Sequence, residues 1–525
     1  MTALPSREDA TSAIPWHPVV FAATVVVSAW LDAAVSPYAA LRPLLVAIAA
    51  AAVLTMLAIA VSRSRWIGGV VASAVIGVLW SRQLVTLLGE LAARMGALVT
   101  VVWVALIVVV VVLLMRRIGS GWSGNQLTTL LNRASLLVLA AGILLAVVNG
   151  TLPALLPDLR QGTGLDGIPS DGATGDQLPD VYVVLLDGYP RADVLEYAFD
   201  IDNTSFTDAL AERGFTVAES AHSDYLWTHV SVPSALNLDF VEAIPRMRQV
   251  IDGTSPRQPT LRRAVADNVA FDVARNAGYT TVGVASGFEE VALRQADVYL
   301  DGGQLNELEV SLLTRTWLSD VLNVVAPGAA AGQQRSRILG NLAALPEIAE
   351  RATGSPILVF DHVPAPHQPI VFGPDGADVS VPLSDAYFAD SPAERGETTE
   401  DFVTRYRDQL PYLNERVLAA IDGVLAASDQ PPLITLLADH GSASVVDWNA
   451  TDPDEADPAR LLERTGILFA ALTPDGPAVF PDDISPVDTF RLLFDAYLGT
   501  DYGRATAPAD GGHVPPVDAS VLDGS

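Results

Sequence analysis

The chain has 525 residues, no cysteine, and a net charge of −30 at pH 7 that arises from 61 acidic and 31 basic residues. Its mean hydropathy of +0.34 is too high for an ordinary soluble enzyme. Disulfides are excluded, so any exported part must be stabilised by its core alone. The acidity argues against nucleic acid as a partner, because that interaction requires a basic face.

The excess of apolar residues lies in the first 150 or so, where segments of about 20 residues are long enough to cross a bilayer. Five such spans are predicted, near 17–36, 40–62, 66–88, 96–115 and 132–151. Arginines concentrate before the first span, between the second and third, and between the fourth and fifth, which places the N-terminus in the cytoplasm. Arg42 and Arg94 are exceptions to this pattern. The sequence therefore predicts a plasma membrane protein of bacterial type whose remainder is extracytoplasmic.

Four regions follow from this pattern. Residues 1–151 form a transmembrane domain of five helices, and 152–179, rich in Gly, Pro and Asp, form a linker. Strand-like and helix-like segments then alternate over 180–502, as is typical of an α/β domain. The predicted strands are 180–186, 215–219, 279–285, 297–300, 356–361, 432–438 and 466–472. The predicted helices are 204–213, 231–240, 260–277, 333–350, 402–427 and 486–498. Residues 503–525, again rich in Gly, Pro and Asp, are expected to be a disordered tail.

Two apolar segments of the α/β domain end in residues that commonly bind metals. Residues 180–186 lead into Asp187-Gly188, and 432–438 lead into Asp439-His440-Gly441. In open α/β sheets, ligands bind at the carboxyl edge of the strands. One divalent metal at this edge, with oxygen and imidazole ligands, suits Zn, Mn or Mg.

A segment with two hydroxyl side chains, Thr228 and Ser231, lies between these strands in sequence. Thr228 and Ser231 precede Pro233 at a predicted helix start, where the backbone N–H groups and the helix dipole favour an anion. A hydroxyl beside a divalent metal can ionise and attack phosphorus or sulfur. Thr228 therefore joins Asp187, Asp439 and His440 in the predicted metal site. The alternative is that Thr228 or Ser231 only caps the helix.

A third segment follows residues 356–361 and contains His362, Pro364, Pro366, His367 and Pro369. Prolines on both sides of His367 stiffen the loop, which suits a positioned imidazole. His367 is accordingly a candidate catalytic residue, although a histidine facing solvent fits the same pattern. His362, at the end of the strand, fits a packed role equally well.

These segments together resemble the alkaline phosphatase superfamily in its sulfatase-like branch. The matching motifs cover roughly 178–502 and are Leu185-Leu-Asp-Gly-Tyr189, Thr228-x-x-Ser-Val-Pro233, His367-x-Pro369 and Ala438-Asp-His-Gly441. Lipoteichoic acid synthases and phosphoethanolamine transferases are similarly built, with five spans before an external catalytic domain. The resemblance implies an α/β domain with a mixed, mainly parallel sheet flanked by helices.

The resemblance also implies roles for individual residues. Thr228 would be the covalent nucleophile, with Ser231 as the alternative, and Asp187, Asp439 and His440 would bind the metal. His367 would contact the substrate or the leaving group. The chain departs from true sulfatases, because it has no cysteine and carries Ala235 where their motif has Arg. Phosphoethanolamine transferases carry a further His after their Asp-His-Gly motif, whereas residues 442–465 of this chain contain no His. The ligands for a second metal are therefore missing, and a single metal is expected.

The function that these features favour is transfer of a phosphoryl-alcohol head group from a membrane lipid, through Thr228, to an envelope lipid or glycan. The same site with water as acceptor would be an extracytoplasmic phosphodiesterase, phosphatase or sulfuric ester hydrolase. A different class of function is a catalytically silent envelope protein that uses this fold to bind a partner. A transporter is disfavoured, because few charges, Asp32, Arg82 and Glu90 among them, lie near or within the spans.

Overall fold

A computed structural model describes most of the chain as two compact units. One unit comprises residues 1–156 and 308–325, and the other comprises 157–307 and 326–525. The described residues are 13–33, 35–95, 123–149, 162–168, 178–244, 247, 257–352, 354–382, 392, 395–448, 451–474, 479–508 and 512–522. Side chains are described within these ranges except at 83–95 and 257–259.

The first unit is helical. Its N-terminal helices are α1 (His17–Ala33), α2 (Pro37–Ser62), α3 (Arg65–Met95) and α4 (Gly124–Val148). Two of these, α2 and α4, are long and apolar enough to cross a membrane, whereas α1 has only 17 residues. The described residues therefore support two of the five predicted spans, and the predicted span 96–115 lies outside them.

Local capping sets the helix boundaries in this unit. α2 begins after Ser36, whose side chain accepts a hydrogen bond from the backbone N–H of Tyr38. α4 begins after Ser123, which forms a capping box with Gln126, the arrangement in which each side chain bonds the other residue's backbone N–H. Because of that cap, α4 begins eight residues before the predicted start of the fifth span at residue 132.

The second unit is built on a seven-stranded sheet. Its strands are β1 (Val181–Leu186), β2 (Thr216–Val217), β3 (Thr280–Val284), β4 (Val298–Leu300), β5 (Ile357–Val363), β6 (Leu433–Leu437) and β7 (Phe469–Leu472). The spatial order is β2-β7-β6-β1-β5-β3-β4. Strands β6, β1, β5, β3 and β4 are parallel, and β7 runs antiparallel to β6 and β2. This is the predicted mixed, mainly parallel sheet.

The central strands are largely apolar because both faces of the sheet are covered, although β5 carries Asp361 and His362 near its end. Every residue of β1, β5 and β6 is buried, as expected for parallel strands between layers of helices.

The helices of this unit are α5 (Ala192–Phe199), α6 (Thr204–Glu212), α7 (Thr228–Asn237), α8 (Arg257–Ala266), α9 (Val269–Asn276), α12 (Ala329–Arg351), α13 (Thr399–Ala427), α14 (Pro458–Thr465) and α15 (Pro486–Leu498). Short 3-10 turns occur at several loops.

Two short helices interrupt this unit in sequence. They are α10 (Glu307–Thr314) and α11 (Leu318–Val325). Residues 308–325 cluster with the helical unit, although the chain before and after them belongs to the α/β unit. The predicted domain boundary at residue 151 therefore leaves out a segment that packs with the N-terminal helices.

The linker and the tail contain more structure than their composition indicates. Within the predicted linker, Thr163 forms a β-bridge with Val298, so this part of the chain pairs with the edge strand β4. In the segment expected to be disordered, Val514 is buried and its N–H donates to the carbonyl of Asp224 at 2.7 Å. Packing against the α/β domain thus orders parts of both segments, despite their Gly and Pro content.

Candidate active site

The site lies at the carboxyl ends of three neighbouring strands. β1 is flanked by β6 on one side and β5 on the other, and all three run parallel. Asp187 directly follows β1, and Asp439 and His440 come two and three residues after β6. His367 lies in the loop after β5, where its backbone N–H donates to the carbonyl of Asp187 at 2.8 Å. Residues far apart in the chain therefore meet at one edge of the sheet.

Two glycines permit this close approach. Gly188 has a φ of +70°, the left-handed region that favours glycine, and a side chain there would lie 3.2 Å from the His367 ring. A Cβ on Gly441 would lie only 2.1 Å from the carbonyl oxygen of Glu463. The Gly that follows each metal-binding motif is thus required by the backbone geometry.

Thr228 is the first residue of α7, and its side chain points to the same site. Trp227 occupies the N-cap position without a side-chain hydrogen bond, so neither hydroxyl of the segment occupies that position. The Thr228 hydroxyl oxygen lies 3.2 Å from Nε2 of His440. Ser231, the alternative nucleophile, lies one turn further along α7 and is buried. The structure therefore brings the Thr228 hydroxyl beside His440.

The hydrogen bonds of His440 determine which of its nitrogens carries a proton. Nδ1 lies 2.8 Å from the carbonyl oxygen of Gly441, which can only accept, so Nδ1 is the protonated nitrogen. Burial, and secondarily the charge of Arg464, lower the pKa of His440 and favour the neutral ring. Nε2 then presents a lone pair toward Oδ2 of Asp439 at 3.4 Å and Oδ1 of Asp187 at 3.7 Å.

This arrangement of electron-pair donors fits a cation. Oδ1 of Asp187 and Oδ2 of Asp439 are both buried and have no hydrogen-bond partner among the described residues. A buried carboxylate oxygen left without a partner costs about 1–3 kcal/mol or more, so two such oxygens beside an imidazole lone pair need a positive charge. Ligand atoms of Asp187, His367 and His440 also lie within 4.8 Å of one another. The residues present thus fit one divalent metal ion.

Asp187 is oriented by a histidine of β5. Nε2 of His362 lies 3.0 Å from Oδ2 of Asp187, and both side chains are buried. Burial alone would raise the pKa of Asp187, but His367, His362 and His440 outweigh it and hold that pKa below its usual range. His362 therefore keeps Asp187 ionised and leaves its other oxygen directed at the site, the usual role of an outer-shell partner of a metal ligand.

Arg464 is the residue of the site that the sequence does not reveal. It lies near the end of α14, is buried, and donates to the carbonyls of Leu226 at 2.8 Å and Gly441 at 3.2 Å. Its guanidinium also lies 3.5 Å from Nε2 of His440. Arg464 thus joins the segment before Thr228 to the loop after β6. Only the β6–β7 pairing brings it there, so no sequence motif signals it.

The remaining candidates have other positions. His367 is partly buried, its Nδ1 lies 2.7 Å from the carbonyl of Gln368, and its ring is 5.7 Å from that of His440. Because a carbonyl oxygen only accepts, Nδ1 is the protonated nitrogen of His367. His229 lies 4.0 Å from Glu290, and Arg191 forms an ion pair with Asp193 at 2.7 Å. Arg191, the basic residue nearest to Asp187 in sequence, thus makes a local structural contact.

Three comparisons with known proteins were made. No family model and no curated protein matches the chain. Among solved structures, the integral membrane protein lipooligosaccharide phosphoethanolamine transferase A from Neisseria meningitidis is 14% identical, with a TM-score of 0.39. The match covers 94% of this chain and 85% of that one.

Two further solved structures cover the α/β domain. The C-terminal periplasmic domain of EptC from Escherichia coli, in complex with Zn, is 16% identical with a TM-score of 0.36 and covers 62% of this chain and 84% of its own. BT1596, a 2-O GAG sulfatase, is 15% identical with a TM-score of 0.37 and covers 66% and 75%. The three similar structures are thus two proteins of the phosphoethanolamine transferase type and one sulfatase, all at low sequence identity.

Proposed function

We propose that this protein is a membrane-anchored, metal-dependent phosphotransferase that uses Thr228 as its nucleophile. The observation that carries the proposal is the position of the Thr228 hydroxyl, 3.2 Å from Nε2 of His440 at the N-terminus of α7. The partnerless carboxylate oxygens of Asp187 and Asp439 face the same place. A hydroxyl, a set of metal ligands and a helix N-terminus that favours anions together constitute a site for attack on a phosphate ester.

In the proposed reaction, the Thr228 oxygen forms a bond to phosphorus while the bond from phosphorus to the lipid alcohol breaks. The hydroxyl proton leaves to solvent or a basic group of the site, and the departing alkoxide takes up a proton. Asp187, Asp439, His440 and Thr228 would hold a divalent metal, which lowers the hydroxyl pKa and offsets charge on the phosphoryl group. His367 would protonate the leaving group and, in the second step, take the proton of the acceptor.

The substrates follow from the location of the site. Two helices long and apolar enough to span a membrane belong to the same chain as the α/β domain, which favours a substrate embedded in that membrane. We infer that the donor is a lipid with a phosphoryl-alcohol head group and that the acceptor is an envelope glycan or lipid outside a bacterial-type plasma membrane. The N-terminus would then lie in the cytoplasm, as the arginine pattern predicts.

The decisive experiment is the intact mass of the full-length protein after incubation with Mn and phospholipid vesicles containing phosphatidylethanolamine and phosphatidylglycerol. Wild type should carry an adduct with the mass of one head-group phosphate, and Thr228→Ala should carry none. Ser231→Ala, which removes the neighbouring hydroxyl of α7, is the matched control and should retain the adduct. An adduct on Thr228→Ala that disappears in Ser231→Ala would transfer the nucleophile role to Ser231.

The same samples test the hydrolase and binding alternatives. If water is the natural acceptor, the adduct should decay without any added glycan or lipid, and free head-group phosphate should accumulate with many turnovers. If the wild type forms no adduct, releases no head group and binds no metal, the protein is not an enzyme of this kind, and a binding role would explain the fold.

A further inference from the structure

The helical unit contains charged side chains that its apolar sequence does not explain. Asp32, Arg42 and Arg82 lie in or beside predicted spans, and Arg42 departs from the arginine pattern. Each of the three pairs with an opposite charge from the segment 308–325. The pairs are Asp32 with Arg315 at 3.4 Å, Arg42 with Glu309, and Arg82 with Asp320 at 3.3 Å.

Apolar packing holds the same segment against the helices. Leu308 and Leu312 of α10 are buried in a cluster whose other members come from α1, α2 and the connection between them: Val26, Ala29, Val35, Ala39 and Ala40. Trp317 then begins the turn into α11, and its indole N–H donates to the hydroxyl of Ser81 on α3 at 2.9 Å. Residues 308–325 are therefore an integral part of the helical unit, in contact with three of its helices.

Most of the exposed side chains of α11 are apolar, whereas its polar residues Ser319 and Asp320 contact Arg82 of α3. Leu318, Val321, Val324 and Val325 recur with helical spacing and have exposed fractions between 42% and 80%. On the other side, Ser319 is buried and accepts a hydrogen bond from Arg82. This is the reverse of a helix in water, whose exposed positions are polar.

We propose that the segment 308–325 is a membrane-interface element, with α11 lying in the outer surface of the bilayer and its valines in contact with acyl chains. Three observations favour lipid as the occupant of this face. The apolar face of α11 lies beside exposed apolar residues of α3, since the Trp317 N–H donates to the carbonyl of Leu79, itself 41% exposed. Tryptophan is typical of the bilayer interface. The charged residues of the segment, Glu309, Arg315 and Asp320, are each paired, as charges at membrane depth commonly are.

The proposal does not depend on the phosphotransferase reaction, and the chain is well suited to a test because it has no cysteine. Single cysteines at Val321 and Val324, labelled with a nitroxide in the full-length protein, would be examined in phosphatidylcholine vesicles. Collision rates with oxygen, which partitions into lipid, and with a water-soluble nickel chelate report the surroundings of each label. Val53→Cys on α2 is the lipid reference. Val269→Cys, another exposed valine, on α9 of the α/β domain, is the water reference.

The expected result is an oxygen-to-nickel collision ratio at 321 and 324 several times that at 269 and close to that at 53. A ratio equal to that at 269 would overturn the proposal, because the face would then be exposed to water. Low collision rates with both reagents would also overturn it, since they would show that protein covers the face, either a second copy or another part of the chain.

Discussion

A divalent metal should stabilise this protein, and the stabilisation should depend on Asp187. Oδ1 of Asp187 and Oδ2 of Asp439 are buried and have no hydrogen-bond partner within the described part of the chain. A cation that binds them only in the folded state adds RT ln(1 + [metal]/Kd) to the free energy of unfolding, about 2.7 kcal/mol when free metal is about 100 times Kd. For an α/β domain of about 320 residues, an unfolding entropy of roughly 0.7 kcal/mol/K converts this to a rise in Tm of about 4 °C.

The assay compares thermal unfolding of the full-length protein in detergent after EDTA treatment, with and without added Zn or Mn. In Asp187→Asn, which keeps the size and shape of the side chain but removes the charge, the metal-induced rise should fall below about 1 °C. Asp180→Asn is the matched control, because Asp180 precedes the same strand, β1, at the end away from the site. It should retain the full rise.

Two results would refute this reasoning. If neither metal raises the Tm of the wild type, the partnerless carboxylates do not form a metal site. If Asp187→Asn shows the same rise as the wild type, metal binds elsewhere, and the acidic surface of the protein would be the first place to examine.

Three further predictions concern the α/β domain. Burial raises the pKa of Asp180 from 3.8 to about 6, so the folded state favours the protonated carboxyl. The free energy of unfolding is therefore highest below pH 4 and falls as pH rises through 6. Asp180→Asn, which cannot ionise, should be more stable than wild type at pH 8, by up to about 3 kcal/mol, but not at pH 4. Arg464→Lys cannot reach both the Leu226 and Gly441 carbonyls, so adduct formation on Thr228 should slow by about tenfold or more while metal still raises the Tm. Deletion of 509–525 removes the buried Val514 and should lower the Tm by about 2 °C or more, a change that thermal unfolding in detergent would detect.

The sheet is the part of the fold that the sequence predicts well. Seven strand segments are predicted, and the seven strands of the structure lie within them or within two residues of them. The reason is physical: strands that are buried on both faces, such as β1 and β6, are largely continuous apolar runs, and β5 is apolar as far as Asp361. Strand order and register are not encoded locally, so the proximity of Asp187 to Asp439 could only be expected from the general rule on sheet edges.

Helix boundaries are predicted less well, because single side chains decide them. A continuous helix is predicted over 260–277, but the structure has two helices, α8 and α9. Asn268 separates them, since its side chain accepts a hydrogen bond from the N–H of Phe271 and caps α9. The roles of His362 and Arg464 escape the sequence for a different reason: both act through contacts with residues more than 20 positions away.

The charges in the apolar region weigh against a transporter. A transport pathway would need ionisable groups that are available to a substrate or an ion within the spans. Asp32 forms an ion pair with Arg315, and Arg82 forms one with Asp320. The side chain of Glu90 lies outside the described residues. Since the segment 308–325 supplies a partner for both, these charges fit the attachment of that segment to the helices better than the movement of a solute.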